Sequence, residues 1–567
     1  MQDMDLEQIK ETDTWELYEQ ARNFCRMRNM FTETDVNYRM YNGDQWSGLK
    51  IKGIEPVQLN FIKPIVRYKV GVLHSNLYAI NYSSDNFESQ EFREEAEKLC
   101  DLLNKKAAKI WDRDSMDIKC RKITKDAAIN SEGVVYSTYA NEDIVNEIIK
   151  KNNIYFGNEN DSDIQSQPYI LIKQRRPIAE LVEKARADGI SEEKIKFIIG
   201  DNDTFEESGD SAKQEKDLMC TVITKMWKEK GTVHYQRATR WVELKKDTDS
   251  GLTLYPIAHF LWEDKEGDAR GEGEVKHLIP NQLETNKNFL RSIVVAKNTA
   301  YPQKVARKDK IINPSAINEV GGTINVTGTD VDDVSKIITT LHPAQMSSDV
   351  EKLRNELIQT TRELAGAGDI ATGQINPEQA SGKAILAVQQ ASQQPITEQL
   401  VGFKTFVEDI ARIWLDIWTT YSENGIELEE EVEDPSTGEK VVQTYTASQE
   451  QLEQLKASVK VDITPKGAFD KFAQEASIEN LLKEGFFNIQ RLPELKAYAN
   501  VLDDDSVMPK QKLLEAIKFE EQEQQRIAEI SNQAEMLQQK MNTLLNSDPE
   551  AQAGMLANAA EQEQAAM

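Results

Sequence analysis

The side chains best able to do chemistry in this 567-residue chain are scattered, and the scatter narrows the options. Its five histidines, His74, His234, His259, His277 and His342, never fall two or four residues apart. A metal centre or catalytic triad built on them would have to be assembled from distant positions, so neither is expected. The four cysteines, Cys25, Cys100, Cys120 and Cys220, include no CxxC pair, which argues against a zinc site or a disulfide framework and suits a reducing compartment. Gly271-Glu272-Gly273-Glu274-Val275-Lys276 begins like a dinucleotide-binding turn but lacks the third glycine and the surrounding βαβ pattern, so it reads as the entry to a helix. Glu429-Glu430-Glu431 lies in an acidic run and reads as solvated surface, not as an acid–base pair. A phosphate-binding GxxxxGK[ST] loop is absent from the sequence, so the chain is not expected to be a P-loop ATPase. One basic cluster stands out: Lys304, Arg307, Lys308 and Lys310. It is either plain solvated surface or a contact for an acidic partner or for DNA passing nearby. No catalytic residue, metal or cofactor is expected.

Composition explains why that cluster is conspicuous. Lys plus Arg total 68 against 96 Asp plus Glu, a formal charge of −28. So acidic a chain is a poor candidate for wrapping DNA by phosphate neutralisation. An acidic wall is nonetheless suited to letting a polyanion slide past without sticking, although solubility alone also accounts for the charge. The opening Met1-Gln2-Asp3-Met4-Asp5 has no basic or apolar leader character, and no apolar run is long enough to span a bilayer, so a soluble intracellular product is expected.

The elements that must position these residues follow from periodicity. Leu6–Met30 and Thr34–Tyr41 read as helices stopped at Tyr41-Asn42-Gly43-Asp44-Gln45-Trp46, with Trp46 as an apolar anchor. Phe61–Tyr82 reads as helix then strand, and Glu88–Ala128 as one or two helices with Leu99, Leu102, Leu103 and Ile110 on one face. Strands are expected at Gly133–Tyr139, Tyr169–Ile172, Thr221–Trp227 and Thr239–Leu244, with long surface loops at Asn152–Gln167 and Asp201–Asp217. A helix with Pro280 in its first turn carries Leu283, Leu290, Ile293 and Val294 as one stripe and ends at Tyr301-Pro302. A small β unit follows, including Thr323–Val326, closed by His342-Pro343. A second helix then has Val350, Leu353, Leu357 and Leu364 as a narrow seam. Glycines at 366, 368 and 373 precede a third helix restarting at Ala384 and kinked by Pro395, whose Phe403–Tyr421 portion carries an apolar stripe read as core or inter-subunit packing. A hairpin is expected around Asp434–Gly438, helices resume at Gly467, and the Ala/Gln-rich tail from Asp548 reads as frayed.

Taken in order, Tyr41–Trp46, Gly273–Asn286 with Leu278-Ile279-Pro280-Asn281-Gln282, the Tyr301-Pro302 exit and the Ser381-Gly382-Lys383-Ala384-Ile385 restart resemble the portal family of tailed phages, most closely its short-tailed, podovirus-type branch. The resemblance spans roughly 400 residues and implies an α+β fold assembled as a ring, usually of twelve subunits, round a double-stranded DNA channel at one capsid vertex. It implies a wing (1–270 and 425–465), two stem helices (271–297 and 347–364), a clip (298–346), a tunnel loop (365–382), a long kinked helix (383–424) and a crown with tail (466–567). On that plan Leu283, Leu290, Ile293, Leu353 and Leu357 pack the stem. Lys304, Arg307, Lys308 and Lys310 lie in the clip, which meets the terminase large subunit during packaging and head–tail adaptor or tail proteins afterwards. Gly366, Gly368, Asp369, Thr372, Gly373, Gln374 and Asn376 line the channel. Major capsid and scaffolding proteins are further implied partners, assembly is in the host bacterial cytoplasm, and no membrane is involved. The rival readings are a structural or scaffold subunit that handles no DNA, and a nuclease, which would need a carboxylate cluster that the sequence does not display.

Overall fold

The computed structural model describes residues 10–467 apart from 48–54, 75, 85–89, 141–142, 202–218, 301–303, 320–322, 328–336, 342–347, 368–393, 422–425 and 434–439, together with Ile517, Arg526, Met536 and Gln539. The chain divides into two units, Met1–Pro465 and Lys466–Met567. In the second, Lys466 and Gly467 are strand, against the expected helix start at Gly467, while Ile517, Arg526, Met536 and Gln539 are helical, Ile517 buried and the other three exposed.

The first unit is α+β. Helices α1 (Asp13–Met27), α2 (Met30–Asn42) and α3 (Ile62–Leu73) lead to β1 (Asn76–Ser84), and α4 (Gln90–Arg113) and α5 (Met116–Asn130) follow. As the spacing of Leu99, Leu102, Leu103 and Ile110 requires, all four side chains of α4 face the core. Next come β2 (Glu132–Ala140), β3 (Asp143–Ile149), β4 (Ile154–Phe156), β5 (Ile170–Pro177), α6 (Ile178–Ala187), α7 (Glu192–Ile195), β6 (Met219–Glu229), β7 (Thr232–Ala238), β8 (Glu243–Asp249) and β9 (Ile257–Leu261). They make two antiparallel sheets, β3-β2-β9 and β4-β5-β6-β7-β8. The period-two alternation of a strand splits the second sheet between two clusters. Tyr155, Leu171 and Ile223 pack on Trp15 and Tyr18 of α1, while Cys220 and Val222 pack on Leu181 and Ala185 of α6.

Two expectations fail in this region. Thr239–Val242 is a tight turn, not a strand, because Thr239 closes it twice: its N–H donates to the Val242 carbonyl at 2.8 Å and its hydroxyl accepts from the Val242 N–H at 3.1 Å. The strand starts only at Glu243. Asn152–Gln167 is not a surface loop either. It holds β4, whose three residues are all buried, and the buried Gln167 amide donates to the carbonyls of Asn158 and Asp161 at 2.9 and 2.7 Å. Part of the polar composition there satisfies backbone inside the fold, while Asn158, Asn160, Asp163 and Ser166 are exposed. Residues 202–217 of the expected acidic loop lie outside the described residues.

Beyond two short strands, β10 (Glu263–Lys265) and β11 (Asp268–Glu272), the chain enters α8 (Glu274–Ala300). The glycines at this junction are steric necessities. A Cβ on Gly271, whose φ is +62°, would meet the Glu263 carbonyl oxygen at 2.3 Å, and one on Gly273 would meet the Ser131 nitrogen at 2.8 Å. The helix therefore starts at Glu274, and Pro280 lies in its interior, not in its first turn. Pro280 and Lys276 are both exposed, so water can take up the Lys276 carbonyl that the proline cannot serve.

The small unit that follows has β12 (Lys304–Ala306) paired with β13 (Ile338–Thr340). Thr323–Val326 is not a strand; Val326 makes one isolated bridge to Ile311. Helix α9 (Ser348–Leu364) returns, and α10 (Thr397–Tyr421) is the central helix of the core. Pro395 sits in the 3-10 turn Gln394–Ile396 ahead of α10, while residues 384–393, the other side of the expected kink, lie outside the described residues. A proline is compatible there because the first turn has no ladder bond to lose. Phe403, Phe406, Val407, Ile410, Ile413, Trp414 and Ile417 are all buried against strands and helices of this same chain, which settles the stripe as core. Each such side chain contributes about 1.5–3 kcal/mol of burial. Asn146 receives the Trp414 indole N–H at 3.0 Å, and buried Asp416 accepts from the N–H groups of Thr253 and Leu254 at 2.9 and 2.8 Å. A hairpin of β14 (Ile426–Glu433) and β15 (Lys440–Ala447), as expected, precedes α11 (Gln449–Ser458).

Candidate functional site: a two-helix arm

Helices α8 and α9 form an antiparallel pair. The Asn281 amide donates to the Thr361 hydroxyl at 3.1 Å near one end, and the Arg354 guanidinium lies 5.7 Å from the Phe289 ring centre further along. The apolar seam that periodicity picked out is only partly spent on this pairing. Leu283, Leu290, Ile293 and Leu357 are half-buried, Leu353 is 50% exposed and Leu364 is 80% exposed. A stripe left open in a single chain is surface available to another copy.

The proximal end of the arm is bolted down by buried polar groups. The Gln282 side chain accepts from the Phe61 N–H at 3.0 Å and donates to the Leu59 carbonyl at 2.7 Å, serving the backbone of an extended segment as a strand partner would. Asn286 accepts from the Leu59 N–H at 3.1 Å and donates to the Gln45 side chain at 2.5 Å, and Gln45 in turn donates to the Met40 carbonyl at 3.0 Å. Tyr41–Trp46 and Leu278–Asn286, far apart in the chain, are thus two halves of one joint. Lys69 pairs with Glu274 at 2.7 Å with both largely buried, fixing the helix start.

Just ahead of α8, Arg270 is buried in a charge cluster. It bonds Glu159 through two nitrogens at 2.7 and 2.8 Å, Glu132 at 2.6 Å and the Ile154 carbonyl at 2.9 Å, and His259 reaches the other Glu132 oxygen at 2.8 Å. Burial by itself raises the Glu132 carboxyl, but the Arg270 guanidinium and the His259 hydrogen bond outweigh it and hold the group at about 2. Burial also pushes the Cys25 thiol, 3.8 Å from Glu159, up to about 12, so it is an inert thiol. No local sequence signal marks this cluster, because its members come from five separate segments.

At the distal end, Lys304 and Arg307 are exposed and Lys310 is half-buried. Lys304 donates to the Ile317 carbonyl at 2.6 Å and Arg307 faces Asp309 at 3.5 Å, so both have a local partner while remaining open to solvent. Lys308 lies in the short 3-10 turn beside them. Of the residues expected to line a loop, Gly366 is described. It ends α9 in the left-handed region, φ +68°, with the Ala367 N–H bonded back to the Arg362 carbonyl and its own to Glu363. A Cβ there would strike Pro395 at 2.4 Å. Gly368, Asp369, Thr372, Gly373, Gln374 and Asn376 lie outside the described residues. Among the described residues, one group of three potential metal ligands appears, Glu229, His234 and Asp247, brought together by strand pairing and not by sequence spacing. No helix among the described residues is long and apolar enough to cross a membrane.

No curated protein matches the chain. The family model described as "Phage P22-like portal protein" matches residues 175–567, which include the whole arm, the central helix and the hairpin. A mixed helix-and-sheet body, a two-helix arm with an open apolar seam and a family match across most of the sequence agree: the chain belongs to the P22-like phage portal protein family, a structural, non-enzymatic family of the phage capsid.

Proposed function

We propose that this chain is the subunit of a ring, usually of twelve copies in such proteins, forming the channel at one capsid vertex through which DNA is packaged, retained and ejected. The observation that carries the reading is the arm. A helix pair anchored at one end by buried polar groups, apolar along its flank and bearing a small β unit at its tip is built to stand beside copies of itself. Residues 271–297 and 347–364 then serve as stem and 298–346 as clip. Residues 1–270 with 425–465 form the wing, 383–424 the long helix and 466–567 the crown.

The tip carries exposed Lys304 and Arg307 in a chain of net charge −28, which favours it as the place where terminase and later adaptor or tail proteins dock. Capsid and scaffolding proteins contact the outer body, and the acidic excess keeps DNA mobile in the bore. Residues 365–382 join α9 to the long helix and act as the tunnel loop.

The test is deletion of residues 366–373 in an otherwise intact chain, followed by assembly and DNA-packaging assays with heads and motor. Rings that assemble but fail to package or retain DNA support the assignment. Loss of assembly together with normal packaging by whatever rings do form would remove the loop from it.

A further inference from the structure

We propose that the open end of the five-stranded sheet binds a divalent transition-metal ion on His234, Asp247 and Glu229, a site separate from the arm and independent of its role. Strand register builds the group. His234 on β7 is opposite Trp227 of β6 and Asp249 of β8, and Glu229 and Asp247 each lie two residues from those partners. The side-chain period of two puts Trp227, Glu229, His234 and Asp249 on one face. Strand β8 bulges between Thr248 and Lys245, and the 2.8 Å bond to His234 shows that Asp247 faces the same way.

The distances suit one ion. His234 Nδ1 and Asp247 Oδ1 are 2.8 Å apart, and the ligand atoms of Glu229, His234 and Asp247 all lie within 4.8 Å of one another. Two adjacent ligands bonded to one ion at about 2 Å stand roughly 3 Å apart, so the ion takes the place of the proton that Nδ1 and Asp247 now share. Glu229 closes by a side-chain rotation that its exposure permits.

On the far side of the ring, Asp249 Oδ2 lies 3.9 Å from Nε2. That puts a carboxylate on the Nε2 side, short of hydrogen-bond distance, where a small side-chain shift would make it the outer partner that orients a metal-bound histidine. The Trp227 ring, 5.8 Å from that of His234, supports it from the β6 side. The His234 side chain is 17% exposed and that of Asp247 56%, so the nitrogen ligand is held while the carboxylate is open to an arriving ion.

Charge points the same way. Three carboxylates surround one imidazole, and the nearby cations are engaged at the margin: Lys230 sits 3.9 Å from Glu229, and Lys225 lies over the Trp227 ring. One imidazole with oxygen donors selects zinc, manganese, cobalt or nickel over magnesium or calcium. Binding displaces the shared proton, so affinity falls as pH is lowered. The ion would tie the β6–β7 turn to the end of β8, a cross-link over three strands.

The test is calorimetric titration of the chelator-stripped full chain with Zn²⁺ and Mn²⁺, with Mg²⁺ in parallel. The expected result is about one transition-metal ion per chain, much weaker binding of Mg²⁺, and affinity lowered at least tenfold by both His234→Gln and Glu229→Gln. Glu229 is exposed, so its substitution tests the site even where the histidine variant perturbs the sheet. Absence of saturable Zn²⁺ or Mn²⁺ binding would overturn the proposal. So would binding that both variants leave unchanged.

Discussion

Glu132 carries a full charge inside the protein because Arg270 and His259 face its two oxygens at 2.6 and 2.8 Å. Breaking such a buried set leaves an uncompensated ion, which costs far more than a surface pair is worth. Its pH dependence has a definite sign. The folded group titrates at about 2 against an ordinary 4.5, so its stabilisation is complete above pH 4.5 and is lost as pH falls towards 2. The shift corresponds to roughly 3 kcal/mol. Denaturant unfolding of the chain and of Glu132→Gln between pH 2 and 6 should converge at the acid end and diverge by about that amount above pH 4.5. Parallel curves would mean that Glu132 is not the charged partner described. None of this was legible from the sequence: Glu132, Glu159, His259 and Arg270 are separated by many residues, and only tertiary packing joins them.

At the scale of elements, amphipathic spacing proved a reliable guide wherever burial sets the pattern. The stripe from Phe403 to Ile417 gave α10, and Leu99 to Ile110 gave α4, because a helix face repeats in three and four whatever it packs on. Local chemistry misled where tertiary contacts overrode it. Pro280 is a good first-turn residue, but close packing at Gly271 and Gly273 set the helix start ahead of it. Val242 looks like strand, yet the Thr239 hydroxyl folds that stretch into a turn. The polar joint on α8 was half legible: its two motifs were conspicuous, but nothing in their spacing shows that Gln45 and Asn286 meet. Asn286→Ala removes the acceptor for the Leu59 N–H and the link to Gln45, costing about 2–3 kcal/mol. Hydrogen exchange should then accelerate at Leu59 and Phe61 while the α10 amides keep their protection; unchanged exchange at Leu59 would show that the joint holds nothing. Leu353→Glu makes a different prediction, since Leu353 is 50% exposed in the single chain. The monomer's unfolding free energy should change by less than about 0.5 kcal/mol, while self-association measured by sedimentation is lost. A strongly destabilised monomer would instead place Leu353 in the chain's own core.

The first unit combines an α+β body with an arm whose apolar flank is left open in a single chain. Family membership, the open seam and the basic tip on a chain of net charge −28 are the observations behind the proposed assembly. A ring buries the seam without leaving an edge, whereas an open filament would propagate it. The deciding measurement is light-scattering mass together with negative-stain imaging of the purified chain over a range of concentrations. The expected result is a closed ring of about a dozen subunits with a central pore, growing in population as concentration rises. A monodisperse monomer at the highest concentration, or an open filament without a pore, would contradict it.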